Sequence, residues 1–281
     1  MSSIQAPAAR PDNAPAAASG VDRVARAFVS GKAFIPFVTC GDPDLETTEE
    51  LVVAMAEAGA DLVELGIPFS DPTAEGPVIQ AANLRALAGG TTTDQVFQLA
   101  ERVRKRTDVP LAFMTYANVP FSFGVERFAR RMAEAGVDAL ILPDVPFEER
   151  DEFSGPCRAA GVSFVSFVAP TSHDRVRMIA REAEGFVYCV SSLGVTGARS
   201  SISTDVAAMT AQVRQANPRV PCAVGFGVST PEQAAAMAAV SDGVIVGSAI
   251  VRLVVEHGRA CVDPVAAYVR TMKAAVAAVE N

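Results

Sequence analysis

The chain has 281 residues, half of them hydrophobic, a net charge of −8, and lysine only at Lys32, Lys105 and Lys273. That length fits one α/β barrel or two modest domains with a sizeable core, and an acidic chain without a basic cluster argues against nucleic acid as a partner. No apolar run reaches bilayer length and no secretory signal opens the chain, so no membrane role is expected; five scattered cysteines and two histidines, His173 and His257, give neither a disulfide frame nor a metal site and fit a reduced, cytoplasmic setting.

Residues 1–20 are rich in Ala, Pro and Ser and lack periodicity, which predicts a disordered tail. From Val21 to the end, short apolar runs alternate with amphipathic stretches. The predicted strands are Ala33–Thr39, Asp61–Leu65, Pro110–Met114, Ala139–Leu142, Ser163–Val168, Phe186–Val190, Cys222–Val224 and Gly243–Val246. Helical patterns occupy Thr47–Ala58, Thr93–Lys105, Val125–Ala135, Phe147–Ala160, Asp174–Glu182, Asp205–Ala216, Pro231–Ala239 and about Pro264–Val279. Eight strands each followed by a helix predict a parallel sheet with crossover helices. The count of eight, with an internal echo (EAGAD at Glu57–Asp61, EAGVD at Glu134–Asp138), favours a single closed (β/α)8 TIM barrel over 21–281, with extra helices at its N-terminus and at a phosphate site. In each echo a helix ends at glycine and a strand begins.

The stretch Ala60–Gln80, ADLVELGIPFSDPTAEGPVIQ, carries most of the chemistry. Side chains alternate along a strand, so Glu64 shares a face with Leu62 at the end of an apolar run. Burial there disfavours the charged carboxylate and moves it toward a group that donates a proton near neutral pH. Glu75 follows on a loop that closes at Gly76-Pro77, with Pro77 suited to the first turn of a helix. The two carboxylates can face one another across a pocket.

In such a barrel the site forms on the loops after the strands. Tyr116-Ala-Asn118 ends the third strand, and the sixth carries Tyr188 and opens into a predicted lid, Ser191–Thr204. Gly225-Phe-Gly227 follows the seventh strand, and Gly247-Ser248 follows the eighth and opens a short helix, Ala249–Glu256. Glycines admit close backbone approach and free N–H groups at a helix start bind anions, so the pair predicts a phosphorylated substrate. No lysine ends a strand, which argues against a Schiff base, and scarce histidine argues against a metal-dependent aldolase. Cleavage of a carbon–carbon bond here would rest on carboxylates.

Glu64-Leu-Gly-Ile-Pro-Phe-Ser-Asp-Pro72 with Gly76-Pro-Val-Ile-Gln80 closely resembles the signature of the tryptophan synthase α-subunit family. The likeness runs from about Phe34 to Arg270 through Phe34–Pro43, Thr115–Asn118, Pro143–Pro146, Gly194–Gly197, Gly225–Gly227 and Gly247–Ile250. It implies cleavage of indole-3-glycerol phosphate to indole and glyceraldehyde 3-phosphate, without a cofactor in this subunit. Indole would pass to a pyridoxal-phosphate β subunit in an α2β2 assembly. It further implies that Glu64 protonates the indole ring carbon and handles the glycerol hydroxyl proton, and that Glu75 accepts from the indole N–H, with Tyr188 beside them. Phe37 and Tyr116 would sandwich the indole, Gly197, Gly227, Gly247 and Ser248 would hold the phosphate, and Thr196 on the lid would meet the Glu75 loop. Two residues depart from the family's familiar pattern: Glu75 stands where aspartate is typical, and Ser192 where arginine often begins the lid. The alternatives are a stand-alone lyase and a weakly catalytic subunit that activates its β partner.

Overall fold

The computed structural model describes residues 19–172, 174–190, 199–225 and 227–279. Eight parallel strands close into a barrel in sequence order: β1 Ala33–Thr39, β2 Val63–Gly66, β3 Leu111–Met114, β4 Ala139–Ile141, β5 Ser163–Val168, β6 Val187–Val190, β7 Cys222–Gly225 and β8 Gly243–Val246. Closure pairs Ala33 of β1 with Gly243 of β8. The helices are α1 Gly20–Arg26, α2 Leu45–Glu57, α3 Pro77–Ala88, α4 Thr93–Arg104, α5 Asn118–Phe123, α6 Val125–Ala135, α7 Asp151–Ala159, α8 Arg175–Arg181, α9 Arg199–Ala216, α10 Pro231–Ala238, α11 Ser248–His257 and α12 Val262–Ala277. The expected (β/α)8 barrel is therefore borne out, including a helix before β1 and another after β8.

The strand alternation divides two cores. Ile35, Leu62, Ala112, Ile141, Val165, Ala223 and Ile245 fill the barrel, with Val24 of α1 and Ala27 just after that helix packed against its N-terminal end. The opposite faces, Phe34, Val63, Leu65, Leu111 and Phe113, pack under the helices against Leu51, Phe97 and Phe128. Leu62 and Glu64 thus share the interior face, as the period of two requires.

The internal echo marks a repeated device at the strand entries. Asp61, ahead of β2, accepts a hydrogen bond from the Phe34 N–H of β1 at 2.7 Å. Asp138, ahead of β4, accepts from the Leu111 N–H of β3 at 2.8 Å. Asp242, ahead of β8, accepts from the Cys222 N–H of β7 at 2.8 Å. Each carboxylate satisfies a backbone donor near the beginning of the neighbouring strand, where ladder partners run out. Asp138 is fully buried and is paired with Arg23 of α1 at 2.6 Å and Arg104 of α4 at 2.9 Å, tying α1 to the barrel.

Several boundaries differ from expectation. Asp61 lies outside β2 because its side chain serves β1. The predicted helix Phe147–Ala160 is a single tight turn, Phe147–Glu149, followed by α7, with Arg150 N–H bonding three residues back to Phe147. Asn118–Phe123, where no helix is predicted, is α5, begun by Val119 N–H to Tyr116 O and Phe121 N–H to Ala117 O. Of the lid expected over Ser191–Thr204, the part from Arg199 onward belongs to α9, and residues 191–198 lie outside the described residues. Of the predicted tail, residues 1–18 lie outside the described residues, and Gly20 opens α1 with Ser19 as its cap.

Candidate active site

A cavity of about 280 Å³ opens at the C-terminal ends of the strands. Glu64, Glu75, Phe37, Tyr188, Gly227, Gly247 and Ser248 all line it, so seven of the ten residues expected at the site converge there. Tyr116 does not line it, and Thr196 and Gly197 lie outside the described residues, as does Ser192.

Glu64 sits on β2 between Phe37 of β1 and Ala112 of β3. It is 1% exposed, and its Oε1 has no hydrogen-bond partner among the described residues. A buried carboxylate without a counter-charge holds its proton, and burial pushes Glu64 up to about 8. Glu75 reaches the same cavity from the loop before α3. Burial pushes it up to about 7, opposed by the Asn83 amide, whose Nδ2 donates to Oε2 at 2.7 Å. Each acid is perturbed by its setting, and Glu75 is the easier to ionise.

The Glu75 loop is held from three sides. Gln80 Nε2 donates to the Glu75 carbonyl at 2.8 Å, and the Ala74 N–H donates to the Tyr116 hydroxyl at 3.0 Å. Tyr116, expected against the indole, stacks on Phe69 with ring centroids 5.0 Å apart and fixes this loop. Helix α3 is itself anchored where Arg85 forks onto the buried Asp42 of the loop after β1, at 2.8 and 2.7 Å. Sequence reasoning missed Asn83. A buried amide on a helix of small residues, two turns beyond Pro77, is the only trace it leaves.

Tyr188 stands on β6, buried, with its ring stacked on Phe167 at 4.8 Å. Burial, then the charges of Glu64 and Glu75, raise its phenol well above the ordinary value, so it stays protonated beside both acids. The hydroxyl crosses Gly225, where any Cβ would lie 2.5 Å from it; only glycine admits the ring.

Opposite the carboxylates, Gly247 caps α11 with no side chain on the first N–H groups, whereas α10 is closed by its own Thr230–Gln233 capping box. Free N–H groups at a helix start attract an anion. Arg252, one turn along α11, also lines the cavity and was not singled out from sequence. Among the described residues no group of three His, Cys, Asp or Glu could hold a metal ion, and no helix is long and apolar enough to cross a membrane.

One buried and one half-buried acid line the same cavity as an open helix start, at the mouth of a parallel barrel, which is the arrangement of a barrel site suited to carboxylate acid–base chemistry. The family model described as tryptophan synthase alpha chain matches residues 26–277. A tryptophan synthase alpha chain of Lacticaseibacillus casei is 45% identical over 256 residues, which are 91% of this chain and 96% of that relative. The crystal structure of the tryptophan synthase alpha chain from Legionella pneumophila superposes with a TM-score of 0.82 at 35% identity, covering 92% of this chain and 98% of that one. A chain of the tryptophan synthase complex from Pyrococcus furiosus superposes with a TM-score of 0.77 at 31% identity, over 87% and 99% of the two chains. The chain belongs to the tryptophan synthase alpha chain family, and the expectation of a carbon–carbon lyase stands with it.

Proposed function

We propose that the chain cleaves indole-3-glycerol phosphate to indole and glyceraldehyde 3-phosphate and delivers indole to a β subunit in an α2β2 assembly. The observation that carries this reading is the pairing of Glu64 and Glu75 in one cavity, one acid more reluctant to ionise than the other. Protonated Glu64 gives its proton to the indole carbon that bears the glycerol chain. The ring becomes cationic, and ionised Glu75 accepts a hydrogen bond from its N–H and offsets the charge. Glu64, now a carboxylate, takes the proton of the adjacent hydroxyl. The O–H pair becomes the aldehyde C=O, the carbon–carbon pair returns to the ring, and Glu64 is again protonated. No step calls for a cofactor in this chain; pyridoxal phosphate belongs to the partner in this scheme, and the setting is the cytoplasm.

Phe37 and Tyr188 wall the indole, while Gly227, Gly247 and Ser248 cradle the phosphate from the far side. Tyr116 acts through the Glu75 loop. The deciding measurement is indole release by the chain with and without β subunit. Release that depends on the partner supports the α-subunit reading, full activity alone favours a stand-alone lyase, and negligible release in both cases leaves a binding subunit.

The mechanism fixes a pH profile. The competent form has Glu75 ionised and Glu64 protonated, so kcat/KM should rise as pH passes about 7 and fall as it passes about 8. The two acids share a cavity, so the limbs belong to the pair. Glu75→Gln should remove the rising limb from the residual activity. A flat profile across this range counts against the assignment.

Gly247→Val tests the phosphate seat. A Cβ there would come 3.2 Å from Phe37 Cδ1 and 3.5 Å from Ile79 Cδ1, so a branched side chain must intrude on the cavity. Binding of a glycerol-phosphate analogue should weaken by about tenfold or more, with thermal stability little changed because the position lies at a loop–helix junction. Unaltered binding would remove Gly247 from the seat.

A further inference from the structure

The cavity has an electrostatic imbalance that the roles above do not resolve. It is lined by two carboxylates, and the proposed substrate brings a phosphate that carries close to two negative charges at neutral pH. Backbone N–H groups of α11 supply only partial positive charge. Among the described residues lining the cavity, the one cationic side chain is Arg252.

Its placement suits the phosphate. Arg252 follows Ser248 by four residues on α11, which puts both on one helix face. Helical side chains lean toward the N-terminus of their own helix, so the guanidinium is carried back over the turn that begins at Ser248. Its charge also reaches the loop across the seat. Burial pushes the Tyr268 phenol up to about 12, the Arg252 charge pulls against it, and that hydroxyl donates to the Ser229 carbonyl at 2.9 Å. Ser229 lines the same cavity.

Arg252 is also uncommitted. It is exposed and makes no ion pair or side-chain hydrogen bond with any described residue. Glu256, one turn further along α11 and well placed to pair with it, does not. Arg85, Arg104 and Arg214, by contrast, are each bound to an aspartate.

We propose that Arg252 is a specificity-determining residue that selects a phosphate dianion at the α11 seat, adding a full charge to the contacts made by Gly247 and Ser248. The inference rests on the phosphate-seat reading above. It places discrimination by ligand charge in one exposed side chain, and recognition of phosphate shape in the backbone.

Binding of two ligands to the full-length chain tests it at about pH 7.5, where glycerol 3-phosphate is mostly dianionic and its methyl phosphodiester is a monoanion. Arg252→Gln should weaken glycerol 3-phosphate by roughly five- to twentyfold, a range reduced for solvent screening, and the monoanion by less than about twofold, so the preference for the dianion collapses. Added salt should weaken dianion binding more in the parent than in the variant, and Arg252→Lys should restore most of the preference. Gly247→Val serves as the control for the seat itself. If Gly247→Val abolishes binding while Arg252→Gln leaves both affinities unchanged, the seat stands and the role of Arg252 is overturned. Equal losses for both ligands, unrescued by lysine, make Arg252 structural and overturn it as well. If neither substitution alters binding, the phosphate seat is wrong.

Discussion

Glu64→Gln is expected to lower turnover by about two to four orders of magnitude while substrate continues to bind. Glutamine keeps the shape of the buried side chain but has no proton to give to the ring carbon and cannot take one from the hydroxyl. The walls of the cavity and the phosphate seat are untouched, so KM should move far less than kcat. A variant with near-parent turnover would make Glu64 a structural residue. The same substitution should change stability in the opposite direction as pH rises. The Glu64 carboxyl moves from an ordinary value of 4.5 to about 8 on folding, so between these values the native state holds a proton that the unfolded state has released. Its contribution is fully present below about 4.5 and is lost as pH rises through about 8, at up to ~1.4 kcal/mol per pH unit. Denaturation of parent and variant should therefore diverge from pH 5 to pH 8 in favour of the variant. Parallel stability curves would mean that Glu64 is not held protonated by the fold.

That cost shows why an acid can be kept at this position. Its Oε1 has no partner among the described residues because a partner that satisfied the carboxylate would also favour its ionisation. Glu75 occupies the contrary setting, where the Asn83 amide opposes the effect of burial. One cavity thus holds a proton donor and a carboxylate at the same pH, and the difference arises from which of them meets a hydrogen-bond donor.

Local chemistry explains which parts of the fold and site are legible in the sequence. Glu64 could be assigned to the interior because alternation along a strand is strict and Leu62 fixes the phase. Gly247 and Ser248 could be assigned because a glycine ahead of a helix has a direct physical consequence. The EAGAD and EAGVD echo correctly marked strand entries, but the carboxylate-to-backbone bonds of Asp61 and Asp138, and their counterpart at Asp242, depend on neighbouring strands. Helix α3 begins at a recognisable proline, yet it does not separate apolar from polar faces sharply, so the inward aim of Asn83 left no periodic signal. Tyr116 has a contact that the sequence does not announce. An aromatic at a strand end reads as a wall of the pocket, and only the position of the Ala74 N–H turns it into a brace for the Glu75 loop. Arg252 reads as a solvated helix residue until its face is seen to border the cavity.

Glu75→Asp is expected to slow indole release by about ten- to a hundredfold, measured with saturating β subunit. The longer side chain matters because the backbone that carries it is fixed on either side. The Ala74 N–H is tied to Tyr116, the Glu75 carbonyl is tied to Gln80, and Pro77 begins α3 directly after Gly76. Such a loop cannot advance by a carbon–carbon bond length to follow a shorter acid. Aspartate would also draw back from Asn83, whose amide now sits 2.7 Å from Oε2 and aims the carboxylate. A hydrogen bond to a charged group contributes roughly 1.5–3 kcal/mol, and its loss converts to the stated range if the bond tightens as the ring becomes cationic. Glu75→Ala removes the charge altogether and should cost more, again in turnover rather than in binding. Asn83→Ala should reproduce part of the effect, because Glu75 would lose its aim and, without the amide to oppose burial, hold its proton to higher pH. If Glu75→Asp instead released indole faster than the parent, the cavity would be fitted to aspartate, the native glutamate would be a handicap, and the chain would serve chiefly to activate its β partner.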